Sequence, residues 1–278
     1  MSTAAPPLPS GRGLCWFQAL SGAPGLLPDG PRTVRGADAR VGTEAVRLLA
    51  VVPDAGNRFR RVRHGEVGLE EAWTLAREVR RVMAADREQR ARPIIALVDV
   101  SSQAYGRCEE MLGEHLACAA AADAYASARL AGHPVIALLV GGAMSGAFLA
   151  HGYQANRILA LDAPGVLVHA MSKEAAARVT RRSLEALEEL GARVVPMAYD
   201  VRSFARLGLL HKLITGVDAD APAAADLERV RAELAAAIAD ARAGARDLSS
   251  RLSSPTARSF RAASVAVRAR LAEEWDAS

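Results

Sequence analysis

Residues 92–106, RPIIALVDVSSQAYG, align without a gap on residues 133–147, HPVIALLVGGAMSGA. In each, a basic residue and a proline precede two β-branched residues, an alanine, a leucine and an apolar finish. A turn rich in small residues follows. Short apolar runs of this kind read as strands buried on both faces. Helical patterns come next, from about Cys108 to Arg129 after the first strand and over 144–155 after the second. Strand, helix and strand make a crossover unit, so the two strands run parallel. Parallel strands end at the same edge of a sheet, which makes the segments 100–106 and 141–146 neighbours. Ligands of such sheets collect beyond the carboxyl ends of the strands. The repeat therefore predicts an α/β fold with a two-walled crevice.

The remaining pattern fits that sheet. Strands are predicted at 46–53, 157–162 and 165–170, with a late edge strand at 209–214. A helix over 67–90 has Leu69, Trp73, Ala76, Val79 and Met83 at helical spacing, acids early and arginines late. Another covers 172–190, with Ser172 as N-cap. Three units are expected: a flexible N-terminal arm and lead-in over 1–40, a single α/β domain over 41–216, and an Ala- and Arg-rich helical segment over 217–278 that packs on the domain or on a partner subunit. Few residues are aromatic and alanine is abundant, which suits helices packed closely on a sheet.

The net charge of +4 rests on arginine, because Lys173 and Lys212 are the only lysines. An Arg-rich composition accounts for so mild a balance, and no nucleic-acid partner is expected. Cys15, Cys108 and Cys118 show neither CxxC pairing nor zinc spacing, so no metal site is expected and a reducing cytoplasm is. Residues 1–13 lack the basic start and apolar core of a signal peptide. The uncharged run Pro134–Ala150 is shorter than the roughly 20 residues of a membrane span and is interrupted by glycines, so no membrane partner is expected.

The second segment, GGAMSG, carries the candidate chemistry. Gly141, Gly142 and Gly146 let backbone approach a ligand closely, and the first turn of the next helix has N–H groups without intrahelical acceptors. Such donors hold an oxyanion, carboxylate or phosphate. Close helix–strand packing recruits the same small residues, and the motif alone leaves both readings open. It is not a Walker loop or GxGxxG, and without GxSxG Ser145 is a poor nucleophile candidate. Asp99, at the end of the first strand, is suited to orienting the turn and not to acting as a base.

Taken together, VDVSSQAYGRCEEMLGEHLACAAAADAYASARLAGHPVIALLVGGAMSGAFLAHGYQANR, the upstream FRRVRHGEVGLEEAW and the downstream RRSLEALEELGARVVPMAYDVRSFARLGLLHKLI resemble the crotonase-type carboxyltransferases of acyl-CoA metabolism. Among these they are most similar to the gamma subunits of malonate decarboxylases, over roughly residues 40–216. The resemblance implies a crotonase-like (ClpP/crotonase) fold of repeated ββα units with flanking helices. It implies removal of CO2 from a malonyl thioester on an acyl-carrier protein subunit, whose prosthetic group is a phosphoribosyl-dephospho-CoA. It further implies a beta subunit of the same fold forming the opposite wall, an acyl/malonyl transferase subunit, and no cofactor or biotin bound by this chain.

On the same basis, Gly142, Ala143, Ser145 and Gly146 are expected to line one anion hole, with Gln103, Ala104, Tyr105 and Gly106 on the adjacent segment. Gly141, His151, His169, Arg178, Arg181 and Arg182 are expected on the substrate or carrier side. His151 lies nearly two helical turns beyond Ser145, which suits packing better than proton transfer. The three arginines form either a solvated face or a grip on carrier phosphate. An alpha-type carboxyltransferase that passes the carboxyl to biotin would share fold and holes. The SSQAYGR segment, where biotin-dependent relatives tend to carry a Pro-Gly loop, favours decarboxylation. A non-catalytic scaffold subunit is the remaining alternative.

Overall fold

The computed structural model describes residues 10–276. Its first element is a helix, α1 (Arg12–Ser21), with Trp16 and Phe17 fully buried against the sheet. The strands β1 (Val34–Val41) and β2 (Glu44–Val51) form an antiparallel hairpin that opens the sheet. The expected arm over 1–40 is thus corrected. Residues 1–9 lie outside the described residues, but 12–21 and 34–41 are built into the core, because two large aromatic side chains gain more by burial than a free arm would.

Helix α2 (Leu69–Ala85) crosses to β3 (Ile94–Val100), every residue of which is buried. Its buried stripe is Ala72, Leu75, Ala76, Val79 and Val82, while Trp73 is half exposed, so the inward face is rotated from the expected one. The single helix expected over 108–129 is two, α3 (Arg107–Met111) and α4 (Glu114–Leu130). They part at Gly113, whose φ of 86° belongs to the left-handed region that glycine enters freely. Helices α2 and α4 pack on each other over the sheet.

Strand β4 (Val135–Met144) is ten residues long and runs straight through the glycines expected as a turn. Its first half lies between β3 and β5 (Arg157–Leu161), all parallel. Against β3, Val98 pairs with Leu139 but Val100 with Ala143, so β4 carries two extra residues in a bulge around Gly141. Past the bulge β4 pairs instead with β6 (Leu167–His169), from Gly142–Leu167 to Met144–His169. Short α5 (Ser145–Ala150) follows β4 directly.

The helix expected over 172–190 is also two, α6 (Lys173–Thr180) and α7 (Leu184–Arg193). Ser172 caps α6 as expected, accepting the Ala175 N–H, and Ser183 repeats the device for α7. Helix α8 (Val201–Arg206) leads to edge strand β7 (Lys212–Ile214), which pairs with β5. The sheet order is β1-β2-β3-β4-β5-β7, with β6 beside the far end of β4.

Beyond β7 come α9 (Ala224–Ala243), α10 (Ser250–Ser253), α11 (Pro255–Phe260) and α12 (Ala262–Asp276). Arginines fasten this segment to the domain. Arg157 pairs with Asp240 of α9, Arg242 pairs with Glu44 of β2, and Arg251 donates to the Tyr153 and Ala155 carbonyls. Among the described residues no helix is long and apolar enough to cross a membrane. No group of three His, Cys, Asp or Glu among them is placed to hold a metal ion.

Candidate active site at the split end of strand 4

The ends of β3 and β4 meet as the repeat predicts, and side chains tie them together. Asp99 is 6% exposed, and its carboxylate accepts two backbone N–H groups: Oδ2 from Gly13 of α1 at 2.9 Å and Oδ1 from Gly142 at 3.1 Å. The close approach explains Gly141. A Cβ there would lie 1.9 Å from Asp99 Oδ1, so any side chain would push the carboxylate off the bulge. One buried carboxylate therefore aligns the N-terminal helix, the end of β3 and the bulge of β4. Sequence reasoning gave Asp99 an orienting part, but assigned its partner Gly13 to the arm.

Gln103 makes the second tie. Its Oε1 accepts the Gly146 N–H at 2.8 Å, and the carboxamide lies against the Gly146 Cα, where a Cβ would meet it at 3.0–3.3 Å. The Gln103 main chain is pinned in turn, because Val67 and Gln103 form a parallel bridge and Ala104 N–H donates to Val67 O at 2.8 Å. Glu71 supports this strap from beneath. Fully buried, it accepts from Thr33 Oγ1 at 2.5 Å and Gly68 N–H at 3.2 Å, and burial pushes its carboxyl above the usual range.

Ser145 turns the chain from β4 into α5 in a single residue with φ of 57°, a left-handed conformation costly for a side-chain-bearing residue. Its Oγ donates to Ala170 O at 2.7 Å, which anchors the turn to the end of β6. His169 sits on β6 beside Met144 and stacks on Tyr199, ring centroids 3.8 Å apart. Met171 N–H donates to its Nδ1 at 3.3 Å, and burial lowers its pKa.

The structure thus brings Gln103, Gly142, Ser145, Gly146 and His169 to one end of the sheet, with Tyr105 half exposed on the rim. Gly141 serves the bulge from behind, and Gly106 begins α3. Ala104 and Ala143 are buried beneath the surface, where they can offer packing but no open side-chain contact.

Three expectations need correction. The segment 141–144 is strand and not turn. His151 does not face the crevice. It is fully buried, its Nε2 donating to Leu97 O at 2.9 Å and its Nδ1 accepting from Tyr125 OH at 3.0 Å. An accepting Nδ1 needs the neutral ring, and burial lowers its pKa from 6.5 to about 4. Finally, Arg178, Arg181 and Arg182 do not share one helix. All are exposed, Arg178 in the last turn of α6 and the others beyond it, with Arg181 at φ of 54° ending the helix.

The parallel sheet whose β3 and β4 ends meet at these residues defines the class by its fold, which known crotonase-fold proteins share. In fold the chain matches, over 77% of its length and 36% of the other at 20% identity and TM-score 0.56, a chain of the transcarboxylase 12S hexamer, a crotonase-fold carboxyltransferase. The profile of the malonate decarboxylase gamma subunit matches residues 62–275, and the chain belongs to that family. A Pseudomonas malonate decarboxylase hetero-tetramer solved with coenzyme A contains a chain 56% identical, with TM-score 0.91, covering 96% of this chain and 100% of that one. The Pseudomonas MdcD-MdcE hetero-dimer gives 56% identity and TM-score 0.88 over the same shares. The malonyl-S-ACP:biotin-protein carboxyltransferase MADD of Malonomonas rubra is 37% identical over 194 residues, 68% of this chain and 66% of the relative. This chain is accordingly a carboxy-lyase or carboxyltransferase subunit of the crotonase fold.

Proposed function

We propose that this chain works with a beta subunit of the same fold to decarboxylate malonyl-S-acyl-carrier protein to the acetyl thioester and CO2. The acyl group rides on a phosphoribosyl-dephospho-CoA arm of the carrier subunit, loaded by an acyl/malonyl transferase subunit, and the assembly works in the cytoplasm without biotin. The bond between the malonyl carboxylate and the α-carbon breaks, and its electron pair becomes the enolate of the acetyl thioester. A proton then returns to the α-carbon. Backbone N–H donors at the start of α5 hold the developing oxyanion, and loss of one such donor costs roughly 2.7–4 kcal/mol of transition-state stabilisation.

The observation that carries this reading is the pairing of Gly146 N–H with the Gln103 carboxamide across the two strand ends. It separates the two amides that the sequence treats alike. The Gly142 N–H belongs to a buried carboxylate that also holds Gly13, and it stays with the scaffold. The Gly146 N–H belongs to a half-buried neutral side chain on a surface segment, which rotates away when a substrate oxygen arrives. Freed, the carboxamide still has two N–H groups to offer a substrate oxygen.

Carboxyl transfer to a biotin-protein is the second reading, favoured by the activity in the name of the Malonomonas relative. Incubating the chain, its beta partner and malonyl-S-carrier separates the two. CO2 release by the pair but not by either subunit, unaffected by avidin, is expected. Acetyl thioester formed without CO2 and only when a biotin-protein is added, with the carboxyl recovered on the biotin, would replace decarboxylation with biotin transfer. No release from the assembled pair would leave the chain a scaffold.

A further inference from the structure

Among the described residues the buried arginines are Arg129, Arg157 and Arg251. A buried guanidinium is costly unless counter-charge or hydrogen-bond acceptors meet it. Arg157 has its carboxylate, that of Asp240 on α9. Arg251 on α10 is 7% exposed and pairs with no carboxylate among the described residues. Its Nη2 donates to both the Tyr153 and Ala155 carbonyls, and the guanidinium lies 4.9 Å from the centre of the Tyr153 ring. Nε is sealed in without a partner, and Nη1, which has none among the described residues either, is the nitrogen left open. Burial lowers the Arg251 pKa to about 10, so the group remains a cation at neutral pH.

Arg251 borders a cavity of about 360 Å3 between the start of β5, the segment 208–211 ahead of β7, and helices α9 and α10. Arg157 is in register with Ile136 near the start of β4, so this cavity lies at the end of the sheet opposite Ser145. Its charged side chains are Arg157, Arg251 and Asp240, two cations against one anion. Burial lowers the pKa of His211 at the mouth, which keeps that ring neutral at pH 7. One positive charge is left over. Half-buried Leu209 and Leu210 add an apolar wall. Ser250 Oγ accepts from Arg157 Nη1 at 3.4 Å, which leaves its own proton to donate.

The geometry points to a binding site for a small monocarboxylate, its oxygens on Arg251 Nη1 and Ser250 Oγ and its short aliphatic body against Leu209 and Leu210. A single negative charge matches the surplus cation, whereas a second would be set against Asp240. Such a ligand bridges α10 to the edge of the sheet. The site is independent of the decarboxylation chemistry proposed at the other end of the strands.

Isothermal titration of the full-length chain at pH 7, with ionic strength fixed by sodium chloride, compares acetate, butanoate and succinate. Butanoate is expected to bind saturably and about fifteen-fold more tightly than acetate, the effect of burying two more methylenes. Succinate has the same chain length and a second carboxylate, and is expected to bind roughly tenfold more weakly than butanoate or worse. Ser250→Asp supplies the missing carboxylate from within and should abolish binding. Ser250 is exposed, so this variant folds as the wild type does, which thermal unfolding verifies. The proposal is overturned by wild-type chain that gives no saturable heat with butanoate, or by equal butanoate affinity in wild type and Ser250→Asp. Tighter binding of succinate than of butanoate overturns the choice of ligand.

Discussion

Asp99 shows how few atoms set this site. Its two oxygens each accept one backbone N–H, and an asparagine could serve only one of them while turning its NH2 toward the other. Asp99→Asn is expected to lose about 1–3 kcal/mol of stability in denaturant unfolding, the cost of an unsatisfied buried amide. Turnover of the assembled enzyme should fall more than tenfold, because the bulge loses its register. Gln103 predicts the opposite kind of effect. Gln103→Met keeps the volume, removes the oxygen over Gly146 and leaves stability within about 0.5 kcal/mol, so a change in KM without a change in Tm is the outcome to measure. His151 links the core to pH. Its folded pKa of about 4 lies below the ordinary 6.5, so the unfolded chain binds the extra proton first as pH falls. The contribution is complete above pH 6.5, declines through that window and levels off below 4, a loss of roughly 3 kcal/mol. Thermal unfolding across this range should therefore be steeper for the wild-type chain than for His151→Asn.

At the level of elements, the strands were legible because burial on both faces leaves an unmistakable apolar run, as in β3 and the first half of β4. The continuation of β4 through Gly141 and Gly142 was not. Two glycines read as a turn unless one knows that the Asp99 carboxylate of neighbouring β3 must fit against them. The break between α6 and α7 was missed for a similar reason, since the left-handed Arg181 carries no glycine to announce it, whereas Gly113 did mark the break between α3 and α4. The N-terminal helix was misread because proline and glycine surround a stretch whose burial depends on distant Ala219, whose carbonyl accepts the Trp16 indole N–H at 2.9 Å. The C-terminal segment offers a prediction at this scale. Arg251→Met strips donors from the Tyr153 and Ala155 carbonyls. It should cost about 2 kcal/mol, and limited proteolysis should then cut the segment after α9 faster than the sheet domain.

For the whole molecule, the repeated strand–segment–helix unit and the family resemblance led to the right fold and family, while the side-chain geometry of the crevice came only from the folded chain. Spacing can say that two strand ends meet, but not that one N–H is already taken by Asp99 and the other by Gln103. The expected assembly behaviour is CO2 release only by the pair, measured as gas evolved with each subunit alone and together. The change of partner along β4, from β5 to β6, has a consequence for how such a protein can vary. A pocket bounded by loops can be reshaped by lengthening them, whereas a seam between strands has no slack. One residue inserted between Leu139 and Ser145 would turn every later side chain of β4 to the opposite face. If the seam holds the acyl group as proposed, a change of specificity is expected from residues leaning over it or from the second subunit, and not from insertions within it.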